Sequence, residues 1–195
     1  MTRDGLPPNG ERPVRADARR NRARILEAAE AVFAEQGASA ATDVVAARAG
    51  VAIGTVFRHF PTKPDLLKAV VMNLLDRLVA KADAMVRDPD VHALFEFCGL
   101  VMSASAAHRA VFDRLAETGV QVRVADALER LRPSIEVLLA RARDGGAVRA
   151  DLQADELIPL LAAICQEAIA ADWSEEFRAR ALELFFDGLR PKGNG

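Results

Sequence analysis

Residues 42–61 read TDVVAARAGVAIGTVFRHFP, and this stretch restricts the possible folds more than any other. Two helical patterns, over 43–49 and 53–60, are separated only by Gly50, Val51 and Ala52. Thr42 can N-cap the first helix, with Asp43 favourable in its first turn. Gly50 can take the left-handed conformation that ends it. Pro61 stops the second helix, because the residue before a proline avoids the α region. Two short helices on so tight a turn form a helix-turn-helix, whose second helix is shaped to enter a major groove.

The flanks supply what such a pair packs against. Over 15–37, Ile25, Leu26, Ala29, Val32 and Phe33 fall at helical spacing, and Gly37 is a natural stop. Val45, Ala49, Val51, Val56 and Phe60 can pack the pair onto that first helix. Thr62 to Asp65 has the spacing of a capping box and starts a long fourth helix, with the apolar stripe Leu67, Val70, Val71, Leu74, Leu78 and Val79. Further helices are predicted over 91–106, 108–116, up to about Arg143 with a kink or break at Pro133, 155–171 with Pro159 in its first turn, and 174–189. Residues 1–14, rich in Pro and Gly, read as a flexible tail. No strand-period segment occurs, so the fold class is all-α. The domains are a helix-turn-helix domain over 15–62 and a helical bundle over 63–195.

Composition narrows the function. Half of the 195 residues are apolar, which excludes a disordered chain. No apolar run reaches the ~18 residues of a membrane span, and the polar N-terminus lacks a signal-peptide core. The expected location is the cytoplasm, with no membrane partner. Cys98 and Cys165, far apart in the sequence, read as reduced core thiols. His92 and His108 lack partners at metal-ligand spacing, so no metal is expected. No P-loop, dinucleotide fingerprint or nucleophile elbow is present, so neither cofactor nor catalysis is expected. Residues 1–63 hold ten Lys/Arg against seven Asp/Glu, while the remainder hold sixteen against twenty-one. An anionic partner would therefore meet the N-terminal part.

On the second short helix, the face opposite the packing residues carries Thr55, Arg58 and His59. Gly54 lets the backbone approach a phosphate. Arg58 can make bidentate bonds to a guanine edge, and Thr55, His59 and Lys63 are ordinary phosphate donors. Of Arg15, Arg19, Arg20, Arg22 and Arg24 on the first helix, one or two are candidates for phosphate contact.

The segments ILEAAEAVFAEQG, AARAGV, GTVFRHF and TKPDLL, together with Thr42, resemble the DNA-binding domain of the tetracycline-repressor (TetR) family over residues 20–70. The resemblance implies a homodimeric, ligand-responsive transcriptional regulator, usually a repressor, acting on double-stranded operator DNA. It implies phosphate contacts for Thr42, Thr55, Phe57, His59 and Lys63, and base contact for Arg58. Two positions depart from the family pattern. Ala52 stands where a Ser cap is usual, and Phe57 where Tyr is usual, so the phenolic hydroxyl is lost.

A single helix-turn-helix reads too few bases for tight specific binding, and a symmetric dimer supplies two. Ile158, Leu161, Ile164, Ile169, Leu182, Phe185 and Phe186 on the last two helices are the expected dimer face, forming a four-helix interface. Leu75, Phe95, Cys98, Met102 and Phe112 are the expected lining of a pocket for an unidentified apolar or amphipathic effector. Two rivals remain: a dimeric DNA-binding factor without an effector, favoured by a filled interior, and an all-α small-molecule carrier or enzyme.

Overall fold

The computed structural model describes residues 11–120 and 122–191. Among these, nine helices and no strand occur: α1 (Glu11–Gln36), α2 (Thr42–Ala49), α3 (Ile53–His59), α4 (Lys63–Arg87), α5 (Ala93–Ala107), α6 (Arg109–Glu117), α7 (Val124–Asp144), α8 (Ala154–Ala170) and α9 (Glu175–Leu189). The chain divides into two compact units, and the division falls between Val70 and Val71, inside the residues of α4. This boundary lies within a helix, whereas the sequence suggests one at its start. Residues 11–14, expected in the tail, belong to α1; residues 1–10 lie outside the described residues.

In the first unit, Ile25, Ala29, Val32 and Phe33 of α1 are buried, as are Val45, Ala49, Val56 and Phe60. α1 packs against both α2 and α3. The Thr62 N–H donates to Asp65 Oδ2 (3.1 Å) and the Asp65 N–H to Thr62 Oγ1 (3.3 Å), so the capping box starts α4 as the spacing predicts. Thr42 is not a cap. It is the first helical residue, and Ala41 precedes it in extended conformation.

The second unit is built around α5, which packs against α6, α7, α8 and α9. Leu94, Phe97, Cys98, Val101 and Met102 are buried there with Leu128, Leu131 and Ile135 of α7 and Leu161 and Cys165 of α8. Arg141 of α7 donates to the carbonyls of Met85 (3.1 Å), Val86 (2.6 Å) and Asp88. Met85 and Val86 lie in the last turn of α4, where helical partners run out, and Asp88 just beyond it; the Met85 carbonyl also accepts the Asp88 N–H (3.2 Å). The proline expectations are revised in part. α7 runs through Pro133 without a break, and Pro159 is the sixth residue of α8, past its first turn. Both prolines are exposed, so water can reach the carbonyls their missing N–H groups leave open.

Candidate nucleic-acid interface

The turn between α2 and α3 is fixed by its own residues. Gly50 is left-handed (φ 63°, ψ 41°). Its N–H donates to the Ala47 carbonyl and the Val51 N–H to that of Ala46, both at 3.1 Å, as left-handed glycines do when they end helices. Arg24 of α1 donates from Nη2 to the Ala49 carbonyl at 2.5 Å, satisfying another carbonyl at the α2 end. A Cβ at position 50 would meet that guanidinium at 2.7 Å. Glycine is favoured here by φ, while an added Cβ would need only the flexible end of Arg24 to shift.

Within α3 only Val56 is fully buried. Each helical residue turns about 100°, which places Gly54 and Arg58 opposite Val56. Both are exposed, and nothing lies within 4 Å of where a Gly54 Cβ would be. Thr55 and His59, half-buried, occupy one flank. Ile53 and Phe57, 40% and 46% exposed, occupy the other. α3 carries no acidic side chain. Ala52, its N-cap residue, is extended (φ −67°, ψ 145°) with no side-chain acceptor.

The remaining polar candidates spread around this face. Thr42 is half-buried at the α2 start, where the Asp43 carboxylate accepts the Val44 N–H (2.8 Å). Lys63 is half-buried, and its Nζ donates to the Ala40 carbonyl at 2.6 Å. Arg22 lies over the Phe60 ring, 5.5 Å from its centroid. Arg20 pairs with Asp17 and Arg19 is exposed, while the Arg15 side chain lies outside the described residues.

Two family models match. Residues 25–70 match bacterial regulatory proteins of the tetR family, and residues 88–191 match the C-terminal domain of SbtR-like transcriptional regulators. A TetR transcription regulatory protein from Mycobacterium vanbaalenii is 35% identical. The match covers 91% of this chain and 99% of that one, with a TM-score of 0.69.

The chain belongs to the TetR family.

A TetR regulator from Streptomyces coelicolor is 27% identical over 88% of this chain and 99% of its own, with a TM-score of 0.68. An HTH-type transcriptional regulator from Staphylococcus aureus (strain USA300) is 34% identical over 84 residues, 43% of this chain and 44% of that protein. The match therefore spans less than half the length of this curated relative. The TetR-family assignment agrees with the all-α fold. Among the described residues, no helix is long and apolar enough to cross a membrane.

The second unit of this TetR-family chain does not gather the expected pocket residues into one cavity. Leu75 and Phe112 border an apolar cleft with Val101, Ser105, Val122 and Leu128, of about 30 Å³. Phe95 instead packs edge-on against Phe186 at 4.8 Å. Cys98 is 1% exposed within the core. Met102 borders a separate open groove of about 510 Å³, beside Ser103, Glu175, Arg178 and Leu182. Burial pushes the Cys98 thiol up to about 12, with Cys165 adding to the shift. Burial also pushes Cys165 up to about 12, opposed by a hydrogen bond with Ser105.

The expected dimer face is also redistributed. Ile158, Leu161 and Ile169 are buried in their own unit, because they lie on the face of α8 turned toward its core. Ile164, Leu182, Phe185 and Phe186 are partly buried against that core. The exposed apolar side chains of these helices are Leu160 (51%), Phe177 (50%) and Leu184 (56%). Leu160 and Ile164 are one turn apart on α8, and Phe177 and Leu184 two turns apart on α9, so each pair shares a face. Sequence reasoning also missed the exposure of Ile53 and the role of Arg24, read only as a phosphate-contact candidate, in holding the turn. A helical wheel of α3 exposes the first, since Ile53 falls beside Gly54 and Arg58. The second lies 25 residues from its partner and left no local signal.

Proposed function

We propose that this chain is a sequence-specific, non-enzymatic DNA-binding regulator that acts as a homodimer and represses until a small apolar or amphipathic effector releases it. The observation that carries the reading is the α3 face: an exposed Arg58 beside the bare backbone of Gly54, on a helix with no acid, held by a turn that Gly50 and Arg24 fix. Arg58 reads a guanine edge. Thr55, His59, Lys63 and the start of α2 at Thr42 hold phosphates. Phe57, with no hydroxyl to donate, makes only apolar contact. Leu160, Ile164, Phe177 and Leu184 pair with their copies across a two-fold axis, and half-sites about one helical turn (~34–36 Å) apart follow. The effector enters the cleft at Leu75 and Phe112, whose lining offers Ser105 as its polar group.

Selection of bound sequences from random duplex DNA tests the reading. A palindromic consensus supports it, and recovery of no sequence at low salt overturns it. A thermal-shift screen of lipophilic compounds, followed by titration of the protein–operator complex, tests release. The coupling expected is ~1–3 kcal/mol, equal in both directions.

A second reading is favoured by the cleft itself. About 30 Å³ has room for about one water molecule, as in a DNA-binding factor without an effector. If no compound shifts operator affinity, that reading stands.

A further inference from the structure

We propose that Ile53 and Phe57 are specificity-determining residues that read the C5-methyl groups of thymine in the major groove. The inference rests on the reading above that α3 enters that groove. Both side chains are apolar, both are nearly half exposed, and they stand one turn apart on the same flank of α3. Neither exposure is needed by the fold, because Val56 and Phe60 already supply the buried contacts of this segment. On a helix whose neighbouring positions are Gly54 and Arg58, an apolar flank has one chemical counterpart in the groove. The thymine methyl is the apolar group that base-pair edges present there.

The geometry sets which bases are read. Four residues advance about 6 Å along a helix, against about 3.4 Å per base pair. Ile53 and Phe57 therefore address thymines about two steps apart, on one side of the base pair that Arg58 reads. Gly54 lies between them in sequence, and its open surroundings let the helix sink far enough for contact. A second protein copy is a poorer occupant. Two side chains fall far below the roughly 800 Å² per partner that a stable interface buries, and α3 offers no acid to balance Arg58 on a matching copy.

The test uses the full chain and its selected operator. Each thymine of a half-site is replaced singly by deoxyuridine, which removes the methyl and leaves the base pair intact. Two positions per half-site are expected to lose affinity by about fourfold, the worth of one buried carbon. Ile53→Ala is expected to abolish the loss at one position and Phe57→Ala at the other, with the variants' circular dichroism checked for folding. Ile53→Gln is expected to shift preference there from thymine to adenine. The proposal is overturned if deoxyuridine is tolerated everywhere by the unaltered protein, or if the losses persist in the alanine variants. It is also overturned if Phe57→Ala dissolves a self-associated species while leaving the methyl dependence intact. Failure to select any operator overturns the DNA-binding reading itself, an outcome separable from all of these.

Discussion

A single side chain can serve the ligand, the fold or both, and Arg58 and Lys63 show the difference. Arg58 is exposed on α3 with no described partner role in the fold, so Arg58→Ala is expected to cost ~1–3 kcal/mol of operator binding and relax one base position, with the melting temperature unchanged. Lys63 already donates to the Ala40 carbonyl. Lys63→Ala is expected to weaken all sequences alike, lower the salt slope by about 1 and also lower the melting temperature. A salt-titrated binding series beside a thermal melt separates the two. The cysteines are residues of the fold alone. Both thiols are raised to about 12 in the folded chain, against an ordinary value near 8.5. Their contribution to stability is complete below that ordinary value and is lost as pH rises toward about 12, because only the unfolded chain releases these protons. Denaturant midpoints measured from pH 8 to 11 should fall, less steeply in Cys98→Ala. At pH 8 a thiol reagent should label neither cysteine until denaturant is added.

At the scale of elements, α3 is the shortest of the described helices. It has seven residues and, like α2, an N-cap alanine without an acceptor, whereas α4 begins on the reciprocal Thr62–Asp65 pair. Ala52→Ser is expected to stabilise the chain by ~0.5–2 kcal/mol and to tighten operator binding, since less ordering is left for the complex; thermal melts and binding isotherms check both. The order of helices was legible in the sequence because each has a stop or start with a local chemical cause: Gly37, Gly50, Pro61, and the Thr62–Asp65 pair. Thr42 misled because Ala41, with no acceptor of its own, takes the cap position. Pro159 misled because packing elsewhere in α8 outweighs the cost of an interior proline, whose lost hydrogen bond opens to water. In the candidate interface, the polar residues were legible from composition of one helix face, while the hold of Arg24 on the turn was not, since that contact joins α1 to a turn 25 residues away. For the dimer face, the apolar richness of α8 and α9 was visible but its phase was not. Ile158 and Leu161 point inward and Leu160 outward, and only packing decides which stripe a helix buries.

For the whole molecule, assembly and response are the properties at stake. Phe177→Glu with Leu184→Glu places charges on side chains that are half exposed in the single chain. The double variant is expected to be monomeric by light scattering, to keep its helical circular dichroism and to lose operator binding. A variant that remains dimeric rules this face out. The same charges at Ile158 and Leu161 should instead unfold the second unit, because both positions are buried in its core. The narrowness of the cleft between Leu75 and Phe112 has a consequence in time. About 30 Å³ cannot admit a lipophilic molecule until the surrounding helices part, so entry waits on the protein. Stopped-flow binding is expected to level off as compound concentration rises, and Phe112→Ala, which removes one wall, to lift that ceiling. Exit faces the same barrier. Under the proposed effector response, a compound once enclosed would stay for as long as the cleft takes to reopen, and the regulator would then keep a record of a brief exposure after the compound outside had been diluted away.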